Sequence, residues 1–89
     1  MKGEIYMFTK VEDTVINLKE IQSIKPSGNT IEITFINGKT VNISTHKYDF
    51  VINGPGRATN AMYEEYDKRI EEWQDKTIKA LYTSLTLRG

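Results

Sequence analysis

The sequence predicts an α+β fold, an antiparallel β-meander of about five or six short strands followed by one long C-terminal amphipathic helix. Three observations predict it. Residues 5–53 are rich in Ile, Val, Thr and Asn and alternate apolar with polar, the period of a half-buried strand. Asn53, Gly54, Pro55 and Gly56 then break the chain sharply. From 59 to 83 there is neither Gly nor Pro, and the apolar period changes to about 3.6.

The strands follow in order. Residues 5–9 read as an opening strand, 15–18 as a second and 21–25 as a third, with Leu18, Ile21 and Ile24 as inward anchors. Pro26, Ser27, Gly28 and Asn29 form a dense turn signal. Residues 30–36 and 39–45 make the clearest hairpin, and its register can be argued. A two-residue loop would set Ile33 against Asn42 and Phe35 against Thr40, mixing apolar with polar on each face. A three-residue loop of Ile36, Asn37 and a left-handed Gly38 instead pairs Ile33 with Val41 and Ile31 with Ile43. That keeps one face apolar, so the second register is expected. Residues 48–53 read as a last strand, with Phe50 and Ile52 on one face.

In the helix, expected over 57–87, Met62, Tyr66, Ile70, Trp73, Thr77, Ala80, Leu81 and Leu85 recur at three- and four-residue steps. Four acid-before-base pairs lie on the other faces: Glu64–Lys68, Glu65–Arg69, Glu72–Lys76 and Asp75–Lys79. Each contributes about 0.2–0.5 kcal/mol. The run from 81 to 87 holds alternating Leu with Thr and Ser, so a late strand is an alternative to helix there. The predicted core is Ile16 or Val15, Leu18, Ile24, Ile31, Ile33, Phe35, Val41, Ile43, Phe50, Ile52, Met62, Tyr66 and Ile70.

At 89 residues the chain holds one domain, 1–89, with a thin margin of stability. It has no cysteine for disulfides and one histidine, too few for a metal staple, which leaves self-association as the way to bury more surface. A helix of about 25 residues also outreaches a strand of five or six, about 37 Å against about 17–20 Å. The distal stripe, Trp73 to Leu85, is therefore expected to bury against a second copy in a homo-oligomer. Twelve basic residues balance twelve acidic ones, so the basic excess of a generic nucleic-acid binder is absent. No stretch has the apolar length of a membrane span, and no signal segment is visible at the N-terminus, so a cytoplasmic location is expected.

Little here suggests catalysis, and no cofactor is implied. His46 stands alone, directly after Ser44 and Thr45, and no G-x-S-x-G elbow accompanies it. The adjacent carboxylates Glu64–Glu65 and Glu71–Glu72 diverge by about 100° around the helix and converge on nothing. The corner before the helix is the better candidate. Gly54 and Gly56 allow close backbone approach, Thr59 or Asn60 can cap the helix, and the amides of Ala58 to Ala61 carry a partial positive charge. Arg57 adds a bidentate donor for a phosphate, and Tyr63 or Phe50 could offer a stacking face. The ligand-binding set is thus Gly56, Arg57, Ala58, Thr59, Asn60, Tyr63 and Phe50, with no catalytic and no metal residues. The same residues read equally as a turned corner with an ordinary cap.

The run from Val15 to Ile43, with Ile21, Ile24 and Asn37-Gly38 before Lys39, resembles small flagellar FlbD-type and phage-encoded β-meander proteins. The whole layout, with Gly56, Thr59 and Asn60 as a local match, resembles the first type of phage Thoeris anti-defence sponge. That resemblance implies a non-enzymatic oligomer that sequesters a cyclic ADP-ribose-like or cyclic oligonucleotide signal. It offers Arg69 and Lys76 as the helix cations that would grip phosphate. The alternative is a structural or protein-interaction module, such as an inhibitor of a host protein, with no small-molecule ligand.

Overall fold

A computed structural model describes residues 8–88, and side chains as far as residue 85. Among these residues, five antiparallel strands form two small sheets, and one helix follows. The first sheet is a hairpin of β1 (Phe8–Val11) and β2 (Thr14–Asn17). The second is a meander of β3 (Ile21–Ser27), β4 (Thr30–Phe35) and β5 (Thr40–Ile43). A 3₁₀ turn at Leu18–Glu20 links them, capped by the Asn17 side chain, which accepts from the Lys19 N–H at 3.1 Å. The helix α1 runs Asn60–Arg88, so the segment 81–87 is helical rather than a late strand.

The β4–β5 register is the one the apolar pattern favours. Ile31 faces Ile43 and Ile33 faces Val41, and Gly38 takes φ +89°, where a Cβ would be strained. The Phe35 N–H donates to the Lys39 carbonyl at 2.8 Å and closes the three-residue loop. β3 runs longer than its pattern suggested, because the turn is only Gly28-Asn29 and Ser27 pairs with Thr30. Pro26 is tolerated inside β3 because β3 is an edge strand, whose outer amides need no ladder partner. Of the expected first strand, residues 5–7 lie outside the described residues, and pairing extends past Thr9 to Val11.

The segment 48–53 is not a strand. Asp49–Val51 is a 3₁₀ turn whose amides bond locally: Val51 N–H to the Tyr48 carbonyl, Ile52 and Asn53 N–H to that of Asp49. With those donors satisfied inside the turn, no ladder to β5 forms, and Phe50 is left 65% exposed rather than in the core. Ile52 and Met62 are half-buried.

The core is Val11, Ile16, Leu18, Ile21, Ile24, Ile31, Ile33 and Ile43 from the strand region, closed by Ile70, Trp73 and Leu81 of α1. Trp73 is 5% exposed and Leu81 4% within this single chain, and Leu85 is half-buried, so these members of the distal stripe pack on their own sheets. The premise that a second copy must cover it is overturned. Two short hairpins under one helix use more of its length than one short sheet would. Polar side chains of the helix help to fix the docking. Buried Gln74 donates through Nε2 to the carbonyls of Gly28, at 3.0 Å, and Thr30, at 2.7 Å. The Tyr82 hydroxyl donates to the Ile24 carbonyl at 3.4 Å.

Of the four expected ion pairs, Glu65–Arg69 closes at 2.6 Å and Asp75–Lys79 at 3.2 Å. Glu64–Lys68 and Glu72–Lys76 do not close among the described residues. A pair contributing only a few tenths of a kcal/mol does not hold two long exposed side chains in one geometry.

Two stability measurements follow. Gln74→Ala leaves both turn carbonyls without their donor and is expected to cost about 1–3 kcal/mol in urea unfolding. Trp73→Ala is expected to cost about 3–5 kcal/mol, the loss of a large buried ring from the chain's own core.

Candidate functional site

The corner residues are arranged as a helix cap. The Thr59 hydroxyl accepts from the Met62 N–H at 3.2 Å, and its carbonyl takes the first helical bond from Tyr63 at 3.1 Å. Its own N–H donates to the Met62 sulfur at 3.4 Å, closing a reciprocal cap. Thr59 is therefore the cap and Asn60 the first helical residue. Gly56 takes φ +87°; Gly56, Arg57, Thr59 and Asn60 are exposed and Ala58 is half-buried. The bond from Met62 uses an acceptor position of the Thr59 hydroxyl and not its O–H donor. Tyr63 is 49% exposed on the next turn.

Phe50 serves another neighbour. The Arg69 guanidinium lies 5.7 Å from the Phe50 ring centroid and 5.9 Å from that of Tyr48. This cation–π contact ties the 3₁₀ turn to α1. Arg69 is thus occupied by two rings and Glu65.

A second arrangement has no local signature in the sequence. The β1–β2 hairpin turns on Glu12 and Asp13, and Glu12 takes φ +54° although it is not glycine. A left-handed conformation costs such a residue roughly 1–2 kcal/mol. Its carboxylate offsets this with two bonds to distant parts of the chain. Oε1 accepts from the buried Thr45 hydroxyl at 3.2 Å, and Oε2 from the Trp73 indole N–H at 3.1 Å. Hydrogen bonds to a charged group contribute about 1.5–3 kcal/mol each, so the side chain outweighs the strain. The Thr45 hydroxyl in turn accepts the Lys47 N–H at 3.2 Å and fixes where that lysine leaves the backbone.

These contacts border a groove of ≈ 250 Å³ between the first hairpin, the chain after β5 and the middle of α1. Its buried members, Val11, Trp73 and Leu81, form the floor, and exposed Lys10, Lys47 and Lys76 stand around it. Thr9, Thr77 and Ser84 add hydroxyls. Among the described residues, none of the three lysines is ion-paired. Three ammonium groups, hydroxyl donors and an apolar floor that includes the Trp73 indole suit an anion that also carries a flat or apolar part. Sequence reasoning singled out Lys76 but not Lys10 or Lys47, because only the fold brings positions so far apart to one groove.

Comparison with protein-family models, with curated proteins and with solved structures returned no match. No helix among the described residues is long and apolar enough to cross a membrane, and no cluster of metal-ligating side chains is found among them.

The contribution of Glu12 can be measured directly. Glu12→Gly relieves the backbone but removes both bonds, and is expected to destabilise by about 2–4 kcal/mol in chemical denaturation.

Proposed function

We propose that this chain is a non-catalytic binding module that holds a phosphate-bearing small molecule in the lysine groove and releases it unchanged. The observation that carries this reading is the convergence of Lys10, Lys47 and Lys76, none of them ion-paired among the described residues, on a groove floored in part by Trp73. At ≈ 250 Å³ the groove sits just below the usual range of about 300–1,000 Å³ for ligand pockets, so it would hold part of a nucleotide rather than enclose one. The rest of a larger cyclic molecule would extend over the open rim. The layout's resemblance to the anti-defence sponges favours a cyclic ADP-ribose-like or cyclic oligonucleotide signal, sequestered by a phage-encoded homo-oligomer in the host cytoplasm.

A second reading is a protein-interaction module. It is favoured by a more apolar groove of ≈ 380 Å³ where Val15 and Phe8 of the first hairpin approach Phe35 and Val41 of the second sheet. Val15 is 64% exposed there, and neighbouring Ile36 67%. Apolar surface of this kind marks a protein contact more often than a phosphate site.

Thermal shift against a panel of mono- and cyclic nucleotides separates the two. A true ligand at about 100 times its Kd raises apparent stability by about 2.7 kcal/mol, whereas the interaction reading expects no shift from any nucleotide. For the ligand found, Lys76→Glu is expected to weaken binding about tenfold, about 1.4 kcal/mol, with affinity falling as salt screens the exposed lysines. Calorimetry on Arg57→Ala tests the corner in parallel. A loss there with none in Lys76→Glu would move the site to the helix start.

A further inference from the structure

Glu12 puts a carboxylate into the lining of a groove whose other charged side chains are lysines. A phosphate cannot rest against it, so the carboxylate divides the groove into an anion-accepting side and an acceptor side. Each of its oxygens holds one protein donor, the Thr45 hydroxyl at Oε1 and the Trp73 indole at Oε2. A carboxylate offers about four lone-pair sites, which leaves one acceptor position on each oxygen. Both belong to the same carboxylate. They match a ligand carrying two adjacent donors and repel one that presents acceptors there.

We propose that Glu12 determines which phosphate-bearing ligand the groove takes, by accepting two adjacent hydrogen-bond donors from it. A ribose cis-diol has this chemistry, and so does the N1–H and N2–H edge of guanine. The inference rests on the lysine-groove reading above. The carboxylate is held in place before any ligand arrives, by Trp73, by Thr45 and by its own turn backbone, so little side-chain ordering is left to oppose binding. Exchanging a charged acceptor for a neutral one therefore alters selectivity and the phosphate interaction in opposite directions.

Isothermal titration with GMP, IMP, AMP and 2′,3′-dideoxy-AMP tests it in the full chain. GMP against IMP removes one guanine-edge donor, and AMP against its dideoxy form removes the diol. Wild type is expected to prefer the donor-bearing member of at least one pair by about tenfold. Glu12→Gln keeps one acceptor and one donor for Trp73 and Thr45. It is expected to lose that preference while binding the donor-poor member more tightly than wild type does, since a negative charge near the phosphate is gone. A Glu12 that only supports the fold would weaken all four ligands alike in the variant, and that result overturns the proposal. So does equal wild-type affinity within both pairs, a measurement that needs no variant to fold. Binding of all four without preference leaves the lysine-groove reading standing, whereas binding of none removes both.

Discussion

The Glu12 carboxylate is the contact on which the rest of the arrangement depends. It joins a hairpin turn to Thr45, 33 residues away, and to Trp73, 61 residues away. A two-stranded hairpin with strands of four residues is marginal by itself in water. Here it is tied to the chain after β5 and to the middle of the helix by partly buried bonds to a charged group. Where those bonds converge, the lysine groove opens. Lys10 precedes the turn by two residues, Lys47 leaves the backbone at the amide held by Thr45, and Lys76 lies one helical turn beyond Trp73. Structure and candidate chemistry are two consequences of one side chain held in a left-handed backbone.

Gln74 does for the second sheet what Glu12 does for the first. Its amide spends both donors on carbonyls of the β3–β4 turn, so the helix is positioned by polar contacts at both hairpin ends and by Ile70, Trp73 and Leu81 between them. Dispersion and burial would tolerate a sliding helix; these directional bonds do not. The helix is thereby placed with its distal half on the sheets, and its first turns reach beyond them toward the 3₁₀ turn at Asp49–Val51, where Arg69 spans Tyr48 and Phe50. Exposed apolar surface consequently lies at Phe8 and Val15 of the first hairpin and at Ile36 in the β4–β5 loop, rather than at Trp73 and Leu81 of the helix stripe.

The sequence by itself determined what depends on neighbours in the chain. Alternation together with Gly38 selected the β4–β5 register, because a one-residue slip would have turned Ile31 and Ile33 out of the core. The 3.6 period and the missing Gly and Pro determined α1, and Thr59 its cap. Alternation misled at 48–53, where the same pattern closes a 3₁₀ turn once Asp49 accepts two amides, a choice between local and ladder bonds that a pattern cannot make. Only the tertiary structure decided that there are two sheets, that Gln74 is buried, and that Trp73 faces its own chain. It also decided the groove, since Lys10, Lys47 and Lys76 share no local period and each, read alone, is an ordinary solvated lysine. Their proximity follows from Glu12 and the packing of Trp73, and long-range packing leaves no trace in the spacing of the residues it unites.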